Sequence, residues 1–143
     1  MRDYKSLSHT RWDCKYHIVF ILKKRQKLIY GAIRKHLGDT FHELARRKGV
    51  TIEEGHLMKE HFHVCLSIPP KFAVSNVVGY LKGKSAISIA KNFRGRQRNF
   101  NGENFWARGY FVSTVGLDEN MVLDYIRHQE KEDEHRDQLK FQM

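Results

Sequence analysis

The sequence is poor in cysteine, in proline and in long apolar stretches. Among 143 residues there are two cysteines and two prolines, and no apolar run reaches the roughly 20 residues that a membrane helix needs. The first residues lead into no signal-peptide core. Cys14 and Cys65 lack metal-type spacing, and each falls in a predicted strand, so we expect reduced thiols in or near the core. These features predict a cytoplasmic protein that contacts no membrane.

Acidic residues are also scarce, except at the C-terminal end. Residues 1–117 contain 22 Lys and Arg against 8 Asp and Glu, whereas residues 118–143 contain 4 against 8. A surface this basic suits a polyphosphate partner, and nucleic acid is the commonest one. Charge alone is equally compatible with a soluble cationic protein that binds no nucleic acid.

The segment at residues 61–68 has the alternation of a half-buried strand. Phe62, Val64 and Leu66 share one face, and His61 and His63 lie on the other. Two imidazoles two residues apart on a strand point the same way and can share one divalent metal ion. Taken alone, the pair is better explained as two histidines on the wetter face of a half-buried strand.

A second candidate lies near the C-terminus. Tyr125 and Gln129 are four residues apart in a stretch with helical periodicity, so they share one helix face. A phenol nucleophile, an amide oxygen and two imidazoles are the parts of a metal-dependent site that cleaves a phosphodiester. A lone tyrosine on an amphipathic helix is otherwise usually a core residue.

The element order indicates the fold. Strands are predicted at residues 14–22, 50–57, 61–68 and 105–114, and helices at residues 29–48, 74–93 and 118–138. The order β-α-β-β-α-β followed by a helix predicts an α+β, ferredoxin-like split βαβ fold, with a four-stranded antiparallel sheet. Residues 1–143 then form a single domain. The strand at 61–68 is central, and its histidine face is expected to be open.

Two basic segments are candidate phosphate contacts. They contain Lys23, Lys24, Arg25 and Lys27 in one turn and Arg94, Arg96 and Arg98 in one loop. Single-stranded DNA is the favoured substrate because a flexible strand can bend into a site in mid-sheet, with bases stacked on aromatic rings. Candidate stacking residues are Trp12, Tyr16, Phe100 and Trp106. The run at residues 82–85 is not a phosphate loop, since the upstream glycine is missing, so no nucleotide cofactor is expected.

Four segments carry a resemblance to a known family: HTRWDCKYHIVF at 9–20, LSIPPK at 66–71, GYLKGKS at 79–85 and FWARGYF at 105–111. They resemble the small single-tyrosine transposases of insertion sequences with subterminal hairpins, within the His-hydrophobe-His nucleases. The resemblance implies that His61, His63 and Gln129 bind the metal and that Tyr125 is the nucleophile. It implies a 5′-phosphotyrosine intermediate, hairpin recognition, and a prokaryotic enzyme that joins the nucleoid when bound to DNA.

The donor set limits the metal. Two imidazoles and an amide oxygen favour one Mg²⁺ or Mn²⁺ ion per site over Zn²⁺. The family usually has Pro-Asp before the first histidine, where this chain has Lys59 and Glu60. Glu60 keeps the charge, and we expect it to orient His61 or the metal from outside the ligand shell.

Assembly follows from the chemistry of two ends. One tyrosine holds one DNA end, whereas excision joins two, so a homodimer is expected. The resemblance implies that Tyr125 and Gln129 of one subunit complete the His61 and His63 site of the other. A cis site is the alternative. A competing hypothesis is a non-catalytic module that binds hairpin DNA or RNA on the same fold.

Overall fold

The computed structural model describes residues 5–7, 10–93 and 105–115, with side chains from Trp12 onward. In chain order the elements are β1 (Lys5–Leu7), β2 (Thr10–Trp12), β3 (Lys15–Ile21), a 3₁₀ turn (Lys23–Arg25), α1 (Gly31–Lys48), β4 (Thr51–Leu57), β5 (His61–Ser67), α2 (Val74–Phe93) and β6 (Phe111–Thr114). These elements lie in one compact unit, Asp3–Thr114. The predicted helix at 118–138 falls outside the described residues.

Four strands form an antiparallel sheet in the order β4-β5-β3-β6. This is the predicted split βαβ arrangement, in which β3 and β5 are the central pair and β6 lies at an edge. Val19 pairs with His63 and Ile21 pairs with His61. The candidate metal strand is therefore held by a neighbour on each side.

One face of the sheet is buried under the two helices. Phe62 is 3% exposed, Val64 1% and Leu66 0%, and they belong to the same core cluster as residues of α1 and α2. Phe41 of α1 stacks on Phe62 with ring centroids 4.3 Å apart. Large aromatic side chains bury more apolar area than any others, so this contact carries much of the packing between helix and sheet.

Helix α1 ends where its sequence predicts. Gly49 has φ +79°, the left-handed conformation that glycine adopts without strain, and its N–H bonds to the carbonyl of Ala45. The helix begins at Gly31 rather than at Ile29, because Ile29 is buried ahead of it and its N–H bonds to the Lys59 carbonyl.

The last strand is shorter than predicted. Strand β6 covers Phe111–Thr114 rather than the whole of 105–114, and only an isolated bridge joins Trp106 to Leu22. Gly109 has φ +77°, and Lys82 Nζ of α2 donates to the Ala107 and Gly109 carbonyls at 2.8 Å each. These contacts hold residues 107–109 against α2, between the bridge at Trp106 and the start of β6.

The pairing of β1 with β2 was not predicted from the sequence, because each strand has only three residues.

The face of β5 opposite the helices was expected to be open, but it is not open throughout: Cys65 is 9% exposed and Ser67 1%. Ser67 donates a hydrogen bond to Glu53 of β4. The accessible part of this face is the half-buried pair His61 and His63.

Candidate metal centre on the sheet

The two imidazoles predicted to bind metal lie together on β5. Alternation along the strand turns Phe62 into the core and leaves His61 and His63 half-buried on the opposite face. Because β5 is a central strand, the backbone that carries both rings is fixed by ladders on two sides. The described structure thus supplies two neighbouring imidazole donors on a rigid element.

His63 lies in a row of three imidazoles across three strands. His17 of β3 is on one side, with ring centroids 5.4 Å apart, and His56 of β4 is on the other, at 6.2 Å. His56 pairs directly with His63 in the ladder, whereas His17 pairs with Cys65 and is diagonal to His63. Sequence reasoning missed His17 and His56, because their proximity follows from strand register and not from spacing.

The two flanking rings have different surroundings. The His56 side chain is 55% exposed, and its Nε2 lies 3.1 Å from Glu54 Oε1. His17 is half-buried, and its Nδ1 is buried with no hydrogen-bond partner among the described residues.

The described donors fit a metal only in part. Across residues 12–93 and 105–115, no group of three or more His, Cys, Asp or Glu side chains is placed to hold one ion. Neutral imidazole is a good ligand for Mn²⁺, but two imidazoles leave most of the coordination positions to other groups. Tyr125 and Gln129 lie outside the described residues, so the predicted amide ligand and nucleophile stay predictions.

Glu60 is paired with the basic turn. Its Oε1 lies 3.1 Å from Arg25 Nη2, and its backbone carbonyl accepts the N–H of Leu22 at 2.8 Å. Both contacts join the turn after β3 to the residue that precedes His61. The structure therefore shows Glu60 in contact with this turn, and its predicted role beside the metal stays a prediction.

The basic turn itself is exposed and conformationally unusual. Lys24 has φ +58° and Arg25 φ +52°, the left-handed region that non-glycine residues rarely adopt. Lys23, Lys24, Arg25 and Lys27 are all exposed, as a phosphate-binding surface requires. Arg94, Arg96 and Arg98 lie outside the described residues.

One predicted stacking residue belongs to the core. Trp106 is 7% exposed, packs edge-on against Phe20 at 4.7 Å, and donates its Nε1–H to Ser85 Oγ at 2.9 Å. It is not accessible to a DNA base. Tyr16 is partly buried against the same core, and Phe100 lies outside the described residues.

The buried polar groups near the sheet do not behave as nucleophiles. Burial raises the pKa of the Cys65 thiol, and the Glu53 carboxylate raises it further. A thiol with a raised pKa is mostly protonated at neutral pH and reacts slowly. Burial also lowers the pKa of Lys82, the residue that bonds the Ala107 and Gly109 carbonyls.

In the portion of the chain that the structure describes, no helix is long and apolar enough to cross a membrane.

Comparisons of the sequence with known proteins find relatives among transposases. The family model described as "Transposase IS200 like" matches residues 10–129. The transposase of insertion sequence IS200 from Salmonella typhimurium is 45% identical over 139 residues, which are 97% of this chain and 91% of the relative. The ISDra2 transposase TnpA of Deinococcus radiodurans is 27% identical over 104 residues, 73% of this chain and 74% of the relative.

Solved structures share the fold. A crystal structure from Deinococcus radiodurans R1, assigned as a transposase, superposes with a TM-score of 0.72 at 23% identity, covering 89% of this chain and 96% of that one. A REP-associated tyrosine transposase bound to a REP hairpin has a TM-score of 0.56 at 15% identity, covering 86% of this chain and 68% of that one. By its sequence, this chain belongs to the IS200-like transposases, enzymes that cleave and transfer DNA strands.

Proposed function

We propose that the protein cleaves and rejoins single-stranded DNA in a metal-dependent reaction at the face of β5 that carries His61 and His63. The observation that supports this is the placement of both imidazoles, half-buried and adjacent, on a central strand and away from the helices. Such a face lets DNA reach the site while the core stays intact.

His61 and His63 would hold one Mg²⁺ or Mn²⁺ ion, together with the amide oxygen of Gln129. When bound, the ion would supply charge neutralisation and orientation of a non-bridging phosphate oxygen. The chain's own contribution is rigid placement: ladders on two sides fix β5, and the core fixes Phe62, the residue between the two histidines. A preorganised donor pair loses little freedom on binding the ion.

Tyr125 would attack the scissile phosphate. A phenol has an ordinary pKa of about 10, so it is a weak nucleophile at neutral pH without a nearby positive charge. Its attack forms a bond from the phenol oxygen to phosphorus and releases a 3′-hydroxyl. The resulting 5′-phosphotyrosine keeps a phosphodiester linkage, so rejoining needs no nucleotide cofactor.

The DNA is proposed to be single-stranded with a subterminal hairpin. The support is the basic charge of residues 1–117 and the exposed cations of the turn Lys23–Arg25 and of Lys27. A solved structure of the same fold is of a transposase bound to a REP hairpin. A bacterial relative and a DNA substrate together favour a cytoplasmic location.

The test is incubation with labelled single-stranded element ends and Mn²⁺, followed by denaturing electrophoresis. A covalent protein–DNA band is expected for the wild type and none for Tyr125→Phe, while hairpin binding by the variant stays near wild type. Binding without any covalent band in the wild type would instead support the non-catalytic hairpin-binding module.

Active sites composed in trans within a homodimer complete the proposal. Tyr125→Phe and His61→Ala proteins, each inactive, are mixed under conditions of subunit exchange. A trans arrangement predicts that the heterodimer contains one complete centre and cleaves DNA. Inactivity of a mixture shown by mass spectrometry to contain heterodimers would assign a cis site.

A further inference from the structure

An exposed aromatic ring lies on the sheet face opposite the helices. Phe111 is the first residue of β6 and is 61% exposed. Val19 of β3 pairs with His63 on one side and with Phe111 on the other. Because cross-strand partners share a face, the three side chains stand in one row across the sheet. Neighbouring strands are roughly 5 Å apart, so Phe111 lies about 10 Å along this row from His63.

A cleft opens beside Phe111, where the ladder between β3 and β6 is interrupted. Val19 pairs with Phe111, and the carbonyl of Ile21, two residues further along β3, accepts the N–H of Ala107 at 2.8 Å. Residues 108–110 are therefore extra on the β6 side, as in a β-bulge. The cleft between this bulge and β3 has a volume of about 350 Å³. Bulges are common next to active sites, where they change the direction of side chains.

The backbone of the bulge is held from behind by α2. Lys82 Nζ donates to the carbonyls of Ala107 and Gly109 at 2.8 Å each. Gly109 has φ +77°, the left-handed conformation that lets the chain turn back towards β6. The shape of the cleft is thus fixed before a ligand binds, which lowers the entropic cost of binding.

The surface of the cleft combines apolar side chains with one cation. Ile21 is 39% exposed, Tyr110 is 37% exposed and the Arg108 side chain is also exposed. All three line the cleft together with Phe111. Residues 105–115 contain no Asp or Glu. Exposed apolar side chains grouped in this way, with polar groups at their rim, mark a binding surface.

The size and charge of the cleft limit its occupant. Ligand clefts have volumes of roughly 300–1,000 Å³, so a cleft of about 350 Å³ suits one planar ring system and is too small for a helix of a partner protein. An aromatic ring stacks on any nucleic-acid base, and an arginine binds the phosphate next to it. The chain also belongs to a family of enzymes that cleave DNA.

We propose that this cleft binds one unpaired base of single-stranded DNA, stacked on Phe111, while Arg108 binds a neighbouring phosphate. The inference rests on the proposed single-stranded substrate, and it adds a contact that positions the strand on the face that carries His61 and His63. Stacking tolerates any base, so the cleft holds the strand without reading its sequence. Binding of the base needs no metal ion.

Val112 provides a matched control on the same strand. It follows Phe111 and is 40% exposed, but it pairs with Ile18, which is buried in the core. Its side chain therefore stands on the opposite face of the sheet. An effect that comes from weakening β6, or from pairing of its free edge with a second copy of the chain, should appear at both positions. An effect of base stacking should appear at Phe111 alone.

The experiment measures DNA affinity by fluorescence anisotropy, with the full chain and without divalent metal. One probe is a labelled oligothymidine strand, and the other is an abasic strand of the same length and charge. We expect Phe111→Ala to bind oligothymidine about 10-fold more weakly, and Phe111→Trp and Val112→Ala to bind it like wild type. On the abasic strand Phe111→Ala should equal wild type, whereas Arg108→Gln should weaken binding to both strands.

A second measurement uses the wild type, so it does not depend on the folding of a variant. Irradiation with a strand that contains 5-iodouracil should crosslink the base to Phe111 or Tyr110, as mapped by mass spectrometry. Crosslinks found only at other residues would overturn the proposal.

The affinities can also contradict the proposal. Wild-type binding of oligothymidine by Phe111→Ala would overturn it, and so would an equal loss on the abasic strand or in Val112→Ala. A loss that sedimentation shows to follow dissociation of a dimer would assign the cleft to a second copy of the chain and overturn it too. Failure of the wild type to bind either strand would instead overturn the proposed single-stranded substrate.

Discussion

The two faces of β5 differ in what they bury and in what they leave accessible. Towards the helices, Phe62, Val64 and Leu66 are at most 3% exposed and pack in the core. On the other face, His61 and His63 are half-buried, although Cys65 and Ser67 farther along are buried. One strand therefore has a face that packs in the core and a face for which we propose metal chemistry, and this division can be tested by substitution on each face.

The largest effect is expected on the histidine face. His63→Ala should reduce Mn²⁺-dependent cleavage by about 100-fold or more, since loss of a ligand should cost at least as much as loss of a residue behind it. The free energy of unfolding, measured in urea, should change little because the side chain is not part of the core cluster. If calorimetry shows the same Mn²⁺ affinity in His63→Ala as in wild type, His61 and His63 do not form the metal site.

The opposite result is expected on the helix face. Phe62→Ala should lower the free energy of unfolding by about 3–5 kcal/mol, because it removes a buried ring and leaves a cavity under Phe41. Mn²⁺ affinity should remain near wild type at temperatures where the variant is folded. A large loss of metal affinity in the folded variant would show that the two faces are coupled.

The sequence predicts these two faces because alternation is a local signal. The period of two in β5 identifies both the apolar face and the imidazole pair, and Gly49 marks the end of α1 where the structure has it. By contrast, the contacts of His17 and His56 with His63 join different strands. They depend on register, which no local pattern specifies.

The length of β6 also depends on contacts between distant parts of the sequence, which no local pattern specifies. The residues just before β6 have strand-like composition, but the carbonyls of Ala107 and Gly109 accept hydrogen bonds from Lys82, which lies 25 and 27 residues earlier in the chain. From the sequence, Lys82 cannot be distinguished from a solvent-exposed helix residue, because the two carbonyls are close to it only in the folded protein. Tertiary hydrogen bonds thus override local strand preference here.

A smaller effect is expected from these bonds. Lys82→Met keeps the apolar stem but leaves two carbonyls without their donor, and should cost about 1–3 kcal/mol of unfolding free energy. Because burial lowers the pKa of Lys82, the cost of burying its charge is present below the folded pKa and is relieved as the pH rises towards the ordinary value of 10.5. Urea unfolding measures both, with exposed Lys84→Met as the control; equal stability of the two variants would contradict the prediction.

The smallest effect on stability is expected from substitutions in the basic turn. Their effect on DNA binding should be larger than their effect on stability. The Arg25 side chain is 74% exposed and that of Glu60 27%, so loss of the pair should cost at most about 1 kcal/mol. If Arg25 also contacts a phosphate, Arg25→Gln should weaken hairpin binding and reduce the slope of log affinity against log salt by about 1.

Glu60→Gln is the matched control, because it breaks the same ion pair but keeps the cation. Fluorescence anisotropy over a salt series should show an unchanged slope for Glu60→Gln and a reduced one for Arg25→Gln. Equal slopes in the two variants would mean that Arg25 serves the turn's structure and does not bind DNA.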